Sequence, residues 1–160
     1  EMDLAFKLDA EDNLRVLLNN QEVSKAIRTE ENGQRASQLS TLLSVRQALL
    51  QKQRDFCQLP GLVTDGRDMG TTVFPTAGLK LFLSASAEER AKRRYEQLKN
   101  QGINANLAQV LDELLVRDQR DLAREASPLK AAPDAIDIDT TALSIEQVVE
   151  NVMCLVKERF

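Results

Sequence analysis

The stretch Leu79-Lys80-Leu81-Phe82-Leu83, followed by Ser86-Ala87-Glu88-Glu89, decides the fold class of this chain. Its first part concentrates apolar residues over a short length, which predicts a β-strand. Its second part has the spacing of a capping box, in which Ser86 and Glu89 satisfy the first backbone amides of a helix. A strand that leads directly into a helix is the unit from which parallel α/β sheets are built.

The same alternation of strand and helix recurs toward the C-terminus. Residues 135–138 (Ala-Ile-Asp-Ile) predict a strand. Ser144 and Gln147 predict a second capping box, which opens a helix that ends near Phe160. Apolar spacing predicts a long helix over residues 107–124. We therefore expect an α/β protein with a parallel sheet and flanking helices.

The sequence before residue 65 predicts three further features. Residues 3–8 and 14–18 partly alternate apolar and polar side chains across a turn-like segment, which indicates a hairpin. A helical pattern follows from Val23 to about Phe56 and stops near Pro60. Residues 62–64 (Leu-Val-Thr) then predict a short strand that ends in a polar turn.

Composition excludes several classes of chemistry. The 160 residues contain 21 Lys and Arg against 25 Asp and Glu, so the net charge is −4 and binding to a nucleic acid polymer is disfavoured. The chain has no histidine and two cysteines, Cys57 and Cys154, which excludes a histidine-based triad, a His/Cys zinc site and a disulfide scaffold. We expect no membrane span and a reduced, cytoplasmic protein. The polar residue types that are left suit phosphate chemistry.

The polar turn Asp65-Gly66-Arg67-Asp68-Met69-Gly70 comes directly after the predicted strand 62–64. Ligands of open parallel sheets lie beyond the carboxyl ends of the strands, so a site is expected at this turn. Gly66 and Gly70 allow a tight backbone. Arg67 and Asp68 lie between them, and Asp65 precedes Gly66. The alternative interpretation is a polar loop with a local Arg–Asp pair.

A second candidate is a stripe along the predicted helix 107–124. It comprises Leu107, Val110, Leu114, Arg117, Asp121 and Arg124, which are spaced by three or four residues and therefore share one face. Since the first half is apolar, the charges of the second half are expected to be partly desolvated and to need partners. Arginine suits a phosphate because its fork donates two hydrogen bonds at once. The alternative is a helix end that protrudes, with solvated charges.

A third candidate is the charged run over residues 88–94, which contains four cations early in a predicted helix. It predicts either a solvated face with Glu–Arg pairs four residues apart or a cationic lid that folds onto a polyphosphate. Ser37 and Arg46 lie on the earlier helical pattern, and the pattern alone assigns them no role.

Four ordered segments resemble motifs of the bacterial cytidylate kinases. They are residues 61–75 (GLVTDGRDMGTTVFP), 86–94 (SAEERAKRR), 117–124 (RDQRDLAR) and 138–147 (IDTTALSIEQ). Residues 23–29 (VSKAIRT) also resemble part of that family's nucleotide-binding insert. The resemblance implies a P-loop NTPase-type fold with a core, a lid and an insert that binds the nucleoside monophosphate (NMP).

On that basis we expect residues 1–60 to be mostly the NMP-binding insert. Residues 61–160 are then the remaining part of the kinase core, with a lid region at about 86–105. The resemblance also implies the reaction, which is transfer of the γ-phosphoryl group of ATP to CMP or dCMP with Mg2+. A monomer is expected from the family.

The resemblance implies roles for individual residues. Ser37, Arg46 and Asp68 match positions that recognise cytosine, whose donors and acceptors complement a hydroxyl, a guanidinium and a carboxylate. Arg117 and Asp121 match positions near the sugar, and Arg67 and Arg124 match positions around the CMP phosphate. The implied catalytic residues are Arg93, Arg117 and Arg124, and the implied ATP-binding residues are Arg90, Arg93 and Arg94. No general base is predicted, because phosphoryl transfer needs little beyond positioning and charge stabilisation. No metal ligand is predicted within this chain, although the resemblance implies Mg2+ with ATP.

A P-loop motif, Gly-x-x-x-x-Gly-Lys-Ser/Thr, occurs nowhere in these 160 residues. In the family this motif precedes the region of resemblance, so we expect the first strand and the P-loop to be absent from this chain. The chain by itself is then expected to be catalytically inactive and to expose apolar sheet surface. Two other functions stay open, namely a non-catalytic module that binds a pyrimidine monophosphate and a truncated interaction domain.

Overall fold

The structure is a computed structural model, and it describes residues 3–11, 13–100, 102–123 and 129–160. The chain divides into two compact units, Glu1–Arg46 (unit 1) and Gln47–Phe160 (unit 2). Each unit is described by itself. In the described part of the chain no helix combines the length and the hydropathy needed to cross a membrane.

Unit 1 contains a three-stranded antiparallel sheet. Strand β1 (Leu4–Leu8) pairs with β2 (Leu14–Leu18), which pairs with β3 (Gln21–Glu22). Asp9 fixes the turn between β1 and β2, because its Oδ1 accepts hydrogen bonds from the backbone amides of Glu11 at 3.0 Å and Asn13 at 2.8 Å. The predicted hairpin is confirmed, and β3 adds a strand that the sequence pattern did not indicate.

The helical pattern from Val23 to Phe56 contains two α-helices. Helix α1 (Glu30–Leu39) begins after Thr29, whose hydroxyl accepts a hydrogen bond from the amide of Asn32, and α2 follows as Leu43–Asp55. The hydroxyls of Ser40 and Thr41 donate to backbone carbonyls three residues earlier, at 2.8 and 2.7 Å. Such local bonds offer the backbone an alternative to a continuous helix, which explains the break.

Unit 2 contains the parallel sheet. Strands β4 (Leu81–Ser84) and β5 (Ile136–Asp139) are parallel, and Leu81 pairs with Ile136 at the start of the ladder. Helices α3 (Ala87–Asn100), α4 (Leu107–Leu122) and α5 (Ile145–Arg159) accompany them, and α3 packs against α4. The predicted mixed α/β class with a parallel sheet is therefore confirmed.

Local capping chemistry sets where two of these helices begin. At α5 both halves of the capping box form between Ser144 and Gln147. At α3 the Ser86 hydroxyl accepts from the Glu89 amide at 3.1 Å. The Glu89 carboxylate instead pairs with Arg93 at 3.0 Å, one turn along the helix. Glu89, which the capping pattern predicted to bind the helix terminus, therefore pairs with Arg93.

Residues 62–64 do not form the predicted strand. Branched and apolar residues indicated one, but a strand exists only where a neighbouring backbone pairs with it, and no strand of the described residues pairs with this segment. Val63 is fully exposed and Leu59 nearly so. This prediction was wrong because the pattern reports side-chain preference and not the presence of a pairing partner.

The apolar residues of the sheet region are incompletely covered. Leu83 on β4, Ile136 on β5 and Val149 on α5 are each more than a third exposed, while Val73, Ala91 and Val110 are buried. These three side chains are therefore partly accessible to solvent. The two free cysteines, Cys57 and Cys154, are both exposed.

Candidate functional site

The candidate site of unit 2 lies where the polar turn 65–68, helix α3 and helix α4 meet. Asp68 ends the turn and is buried, and its backbone carbonyl accepts from the amides of Thr72 at 2.9 Å and Val73 at 3.2 Å. These bonds begin a short π-helical turn, Met69–Val73. Gly66 has φ +154°, and a Cβ at this position would lie 3.0 Å from Cγ of Met69. A glycine is therefore required for the turn to close this tightly.

An ion pair joins the turn to α4. It forms between Nε of Arg67 and Oδ2 of Asp121, and the Asp121 side chain is completely buried whereas that of Arg67 is 35% exposed. Burial lowers the pKa of Arg67, and the nearby carboxylate of Asp118 opposes this shift. The prediction that charges in the second half of the α4 stripe are desolvated is confirmed for Asp121.

A second ion pair joins α3 to α4. Arg90 donates from Nη1 to Oδ1 of Asp118 at 3.0 Å and from Nη2 to Oδ2 at 2.6 Å. Its Nε donates to the backbone carbonyl of Ala85 at 3.1 Å. The hydrogen bonds that Arg90 donates to Asp118 raise the pKa of Arg90, against the opposing effect of burial. All three nitrogens of the Arg90 side chain therefore have protein partners.

Asp118 is a member of this cluster that sequence reasoning missed. Its partner Arg90 lies 28 residues away, so no local pattern joins the two. Asp118 also lies beside the stripe that was singled out on α4, and not on it. The available signal was its place next to Arg117 in the 117–124 segment, together with the surplus of cations on α3.

Arg93 lies at the carboxyl end of the parallel sheet. Its Nη2 donates to the backbone carbonyl of Thr140 at 2.6 Å, and its Nη1 donates to the Thr140 hydroxyl at 3.1 Å. That hydroxyl donates in turn to the carbonyl of Ser84 at 2.9 Å, so the last residue of β4 and the residue after β5 both support the arginine. Arg94 donates to Gln97 at 2.8 Å on the exposed side of α3.

The other predicted site residues have these positions. Arg117 is half-buried on α4, with its Nε withdrawn from solvent. Arg124 lies outside the described residues. In unit 1, Ser37 is buried on α1, and Arg46 donates from Nη1 to the backbone carbonyl of Ser40 at 3.2 Å. The structure thus brings together Arg67, Asp68, Arg90 and Asp121 within unit 2.

The cluster suits an anion with polar substituents. Arg67 and Arg90 place two guanidinium groups near a polar turn, and such groups bind phosphate through charge-assisted hydrogen bonds. A small cavity beside the turn is lined by Arg67, Thr71, Lys80 and Lys130, and Lys80 is paired with Asp134. The carboxylates of Asp68 and Asp121 are suited to accept hydrogen bonds from amino or hydroxyl groups.

The described residues do not fit a metal centre of their own. Among them, no group of three or more His, Cys, Asp or Glu side chains is arranged to hold a metal ion. A magnesium ion needs several oxygen ligands in near-octahedral geometry. The carboxylates of Asp118 and Asp121 are instead engaged with arginines.

Comparison with known proteins gives a consistent result. The family model described as "Cytidylate kinase" matches residues 1–158. A cytidylate kinase from Azotobacter vinelandii is 56% identical over 145 residues, which is 91% of this chain and 63% of the relative. One from Pseudomonas fluorescens is 58% identical over 87% of this chain and 61% of the relative. One from Aeromonas hydrophila is 49% identical over 99% of this chain and 68% of the relative. The chain therefore spans slightly less than two thirds of the first two relatives.

Proposed function

The chain belongs to the cytidylate kinase family, and from that membership we propose that it supplies the acceptor side of a phosphoryl transfer from ATP to CMP or dCMP. The observation that carries the proposal is the cluster of two arginines and two aspartates at the turn 65–68, α3 and α4. In an acidic protein, the guanidinium groups of such a cluster supply charge-assisted hydrogen-bond donors for a nucleotide phosphate.

Each residue of the acceptor site has a proposed task. Asp68 accepts a hydrogen bond from the amino group of cytosine, and Arg67 donates to the CMP phosphate. Arg117 and Asp121 bind the sugar. Arg124 is proposed to contact the phosphate, on the basis of the resemblance alone. The same basis supports cytosine recognition by Ser37 and Arg46 of unit 1.

The proposed chemistry depends on positioning and charge. In phosphoryl transfer the negative charge is spread over the oxygens of the transferring group, and arginines stabilise it in place. Arg93 is the proposed lid arginine, and reaching the phosphates requires that it exchange its hydrogen bonds to Thr140 for phosphoryl oxygens. Arg90 and Arg94 are the other proposed ATP-binding residues, and Arg90 must first release Asp118 to reach the nucleotide.

ATP and Mg2+ are proposed partners of the reaction. Magnesium bound with ATP neutralises phosphate charge. The 160 residues hold no P-loop motif, and their described carboxylates form no magnesium site. We therefore propose that these residues by themselves bind the acceptor and do not transfer the phosphoryl group. We also propose that the reaction takes place in the cytoplasm and that the protein is a monomer.

A second candidate function is a non-catalytic module that binds pyrimidine monophosphates. It is favoured by the presence of the acceptor cluster in a chain without the ATP motif.

An interaction domain is favoured by the exposed apolar residues Leu59, Val63 and Leu83. Concentration-dependent association in sedimentation experiments would support the interaction domain, and a compact monomer would exclude it.

The proposal is tested by calorimetric titration of the purified protein with CMP, dCMP, UMP and cytidine, followed by a coupled assay with Mg2+ and ATP. We expect binding heat that is selective for the cytosine monophosphates CMP and dCMP. We expect no turnover of ATP by the 160-residue chain alone. Equal heats for CMP and UMP, or no binding of either, would contradict an acceptor site for cytosine nucleotides. Turnover by the 160 residues alone would contradict the proposed inactivity.

A further inference from the structure

Asp118 joins α4 to α3 through an ion pair with Arg90. Both of its carboxylate oxygens accept from the Arg90 guanidinium, in the side-by-side geometry of a bidentate pair. The two side chains are 19% and 35% exposed, so the pair is partly shielded from water. Bidentate, charge-assisted pairs of this kind are stronger than exposed surface pairs and fix both side chains.

Asp118 also lies within electrostatic reach of a second arginine. Asp118 lies three residues before Asp121 on α4, so the carboxylates that pair with Arg90 and with Arg67 lie about one turn apart on the same helix face. The carboxylate of Asp118 also opposes the lowering of the Arg67 pKa, to which burial and the charge of Arg90 contribute. Arg67 and Arg90 therefore repel each other, and the charge of Asp118 acts against that repulsion. Arg67 has its own carboxylate partner, because its Nε pairs with the buried Asp121. The cluster thus alternates in sign from Arg90 through Asp118 and Arg67 to Asp121.

We propose that Asp118 is a positioning residue for binding of the acceptor phosphate, an inference that rests on the proposed function. Asp118 does not touch the substrate. It holds Arg90 against α4 and offsets the repulsion between Arg90 and Arg67, so that Arg67 keeps the position from which it donates to the phosphate. No role was assigned to Asp118 by the sequence or by the resemblance.

The proposal predicts an effect that depends on the phosphate group of the ligand. CMP carries the phosphate that Arg67 binds, and cytidine carries the same base and sugar without it. A loss of Arg67 positioning weakens binding of CMP and leaves binding of cytidine unchanged. A general loosening of the fold weakens both ligands together.

The test compares Asp118→Asn with the control Asp112→Asn, which makes the same change at an exposed position of the same helix. Dissociation constants for CMP and cytidine are measured by calorimetry on the purified protein, with the melting temperature of each variant. We expect CMP to bind about tenfold more weakly to Asp118→Asn, as for loss of one charge-assisted hydrogen bond. The dissociation constant for cytidine is expected to equal that of the wild type. In Asp112→Asn the dissociation constants for CMP and cytidine are both expected to equal those of the wild type.

Two further variants complete the test. Asp118→Glu keeps the charge and is expected to recover part of the CMP affinity. Arg90→Lys keeps the charge of α3 and removes the bidentate pair, so it predicts the same loss for CMP alone and replaces Asp118→Asn if that variant does not fold. Wild-type CMP affinity in Asp118→Asn, or an equal loss for CMP and cytidine with a lower melting temperature, would overturn the positioning role. Failure of the wild type to bind CMP would instead overturn the proposed function, and this inference with it.

Discussion

Arg67, in the turn after residue 64, and Asp121, on α4, form an ion pair in which the carboxylate is completely buried. The pair connects two segments that the sequence presents as separate motifs. A buried charge without a partner is costly, so each residue constrains where the other can lie. The position of the turn on α4 therefore depends on this contact.

We expect Arg67→Met to destabilise the protein, because it leaves the buried carboxylate of Asp121 without the charge of Arg67. Removing one partner of a buried pair costs about 3 kcal/mol, and partial exposure of Arg67 reduces this to about 2 kcal/mol. The measurement is the free energy of unfolding by urea denaturation. The control is Arg35→Met, which removes an exposed pair with Glu31 and is expected to cost less than about 0.5 kcal/mol. Equal costs for the two variants would show that burial adds nothing to the pair.

The sequence predicted those parts of the fold that depend on local chemistry. The hairpin follows from alternation over 3–8 and 14–18 and from the turn that Asp9 stabilises, all within a few residues. The capping box at Ser144 forms for the same reason. Strand 62–64 was predicted wrongly, since its existence depends on a distant pairing partner.

The same distinction holds for the candidate site. Asp121 was found because helical periodicity places it on the buried face of α4, and periodicity is a local signal. Asp118 was missed because its significance comes from Arg90 on another helix. The docking of Arg93 on Thr140 likewise joins residues 47 positions apart, and no spacing rule predicts it.

Gly66 and Gly33 are expected to respond oppositely to substitution by alanine. Gly66→Ala introduces a Cβ 3.0 Å from Met69 Cγ at a backbone with φ +154°, so we expect a loss of about 1 kcal/mol or more in unfolding free energy. Gly33 lies within α1 with open space around it, and Gly33→Ala is expected to gain up to about 1 kcal/mol from helix propensity. Denaturation of both variants measures the contrast. A neutral Gly66→Ala would show that the turn 65–68 tolerates a different backbone.

Acid is expected to destabilise the protein in part through Asp139. Its Oδ1 accepts from the Thr141 hydroxyl at 2.6 Å and from the Thr141 amide at 2.9 Å, and these bonds lower its pKa. A lowered pKa in the folded state contributes stability above the unfolded value, about 3.9, which is lost as pH falls through the folded value. Stability is therefore expected to decline below about pH 4.

Substitution of Thr141 tests this assignment. Thr141→Val removes the hydroxyl donor and is expected to make the decline of unfolding free energy between pH 5 and pH 2.5 shallower, whereas Thr141→Ser keeps the hydroxyl and is expected to retain the wild-type decline. The measurement is urea denaturation across that pH range. Identical curves for Thr141→Val and the wild type would assign the acid sensitivity to other carboxylates, such as Asp9 and Asp134, whose pKa values are also lowered by hydrogen bonds.

Asp68→Asn is expected to weaken binding of CMP and to reduce the preference for CMP over UMP. In the proposed function the carboxylate accepts a hydrogen bond from the amino group of cytosine. An amide can instead turn its NH2 group toward the carbonyl that uracil has at the same position. We expect at least about a tenfold loss of CMP affinity, since Asp68 is buried and an unmatched polar group there is costly. Calorimetric titration of both nucleotides measures the effect. Asp65→Asn, an exposed acid of the same turn, is the control and is expected to bind both as the wild type does. Unchanged CMP and UMP affinities in Asp68→Asn would remove Asp68 from base recognition and leave the phosphate contacts of Arg67 as the basis of acceptor binding.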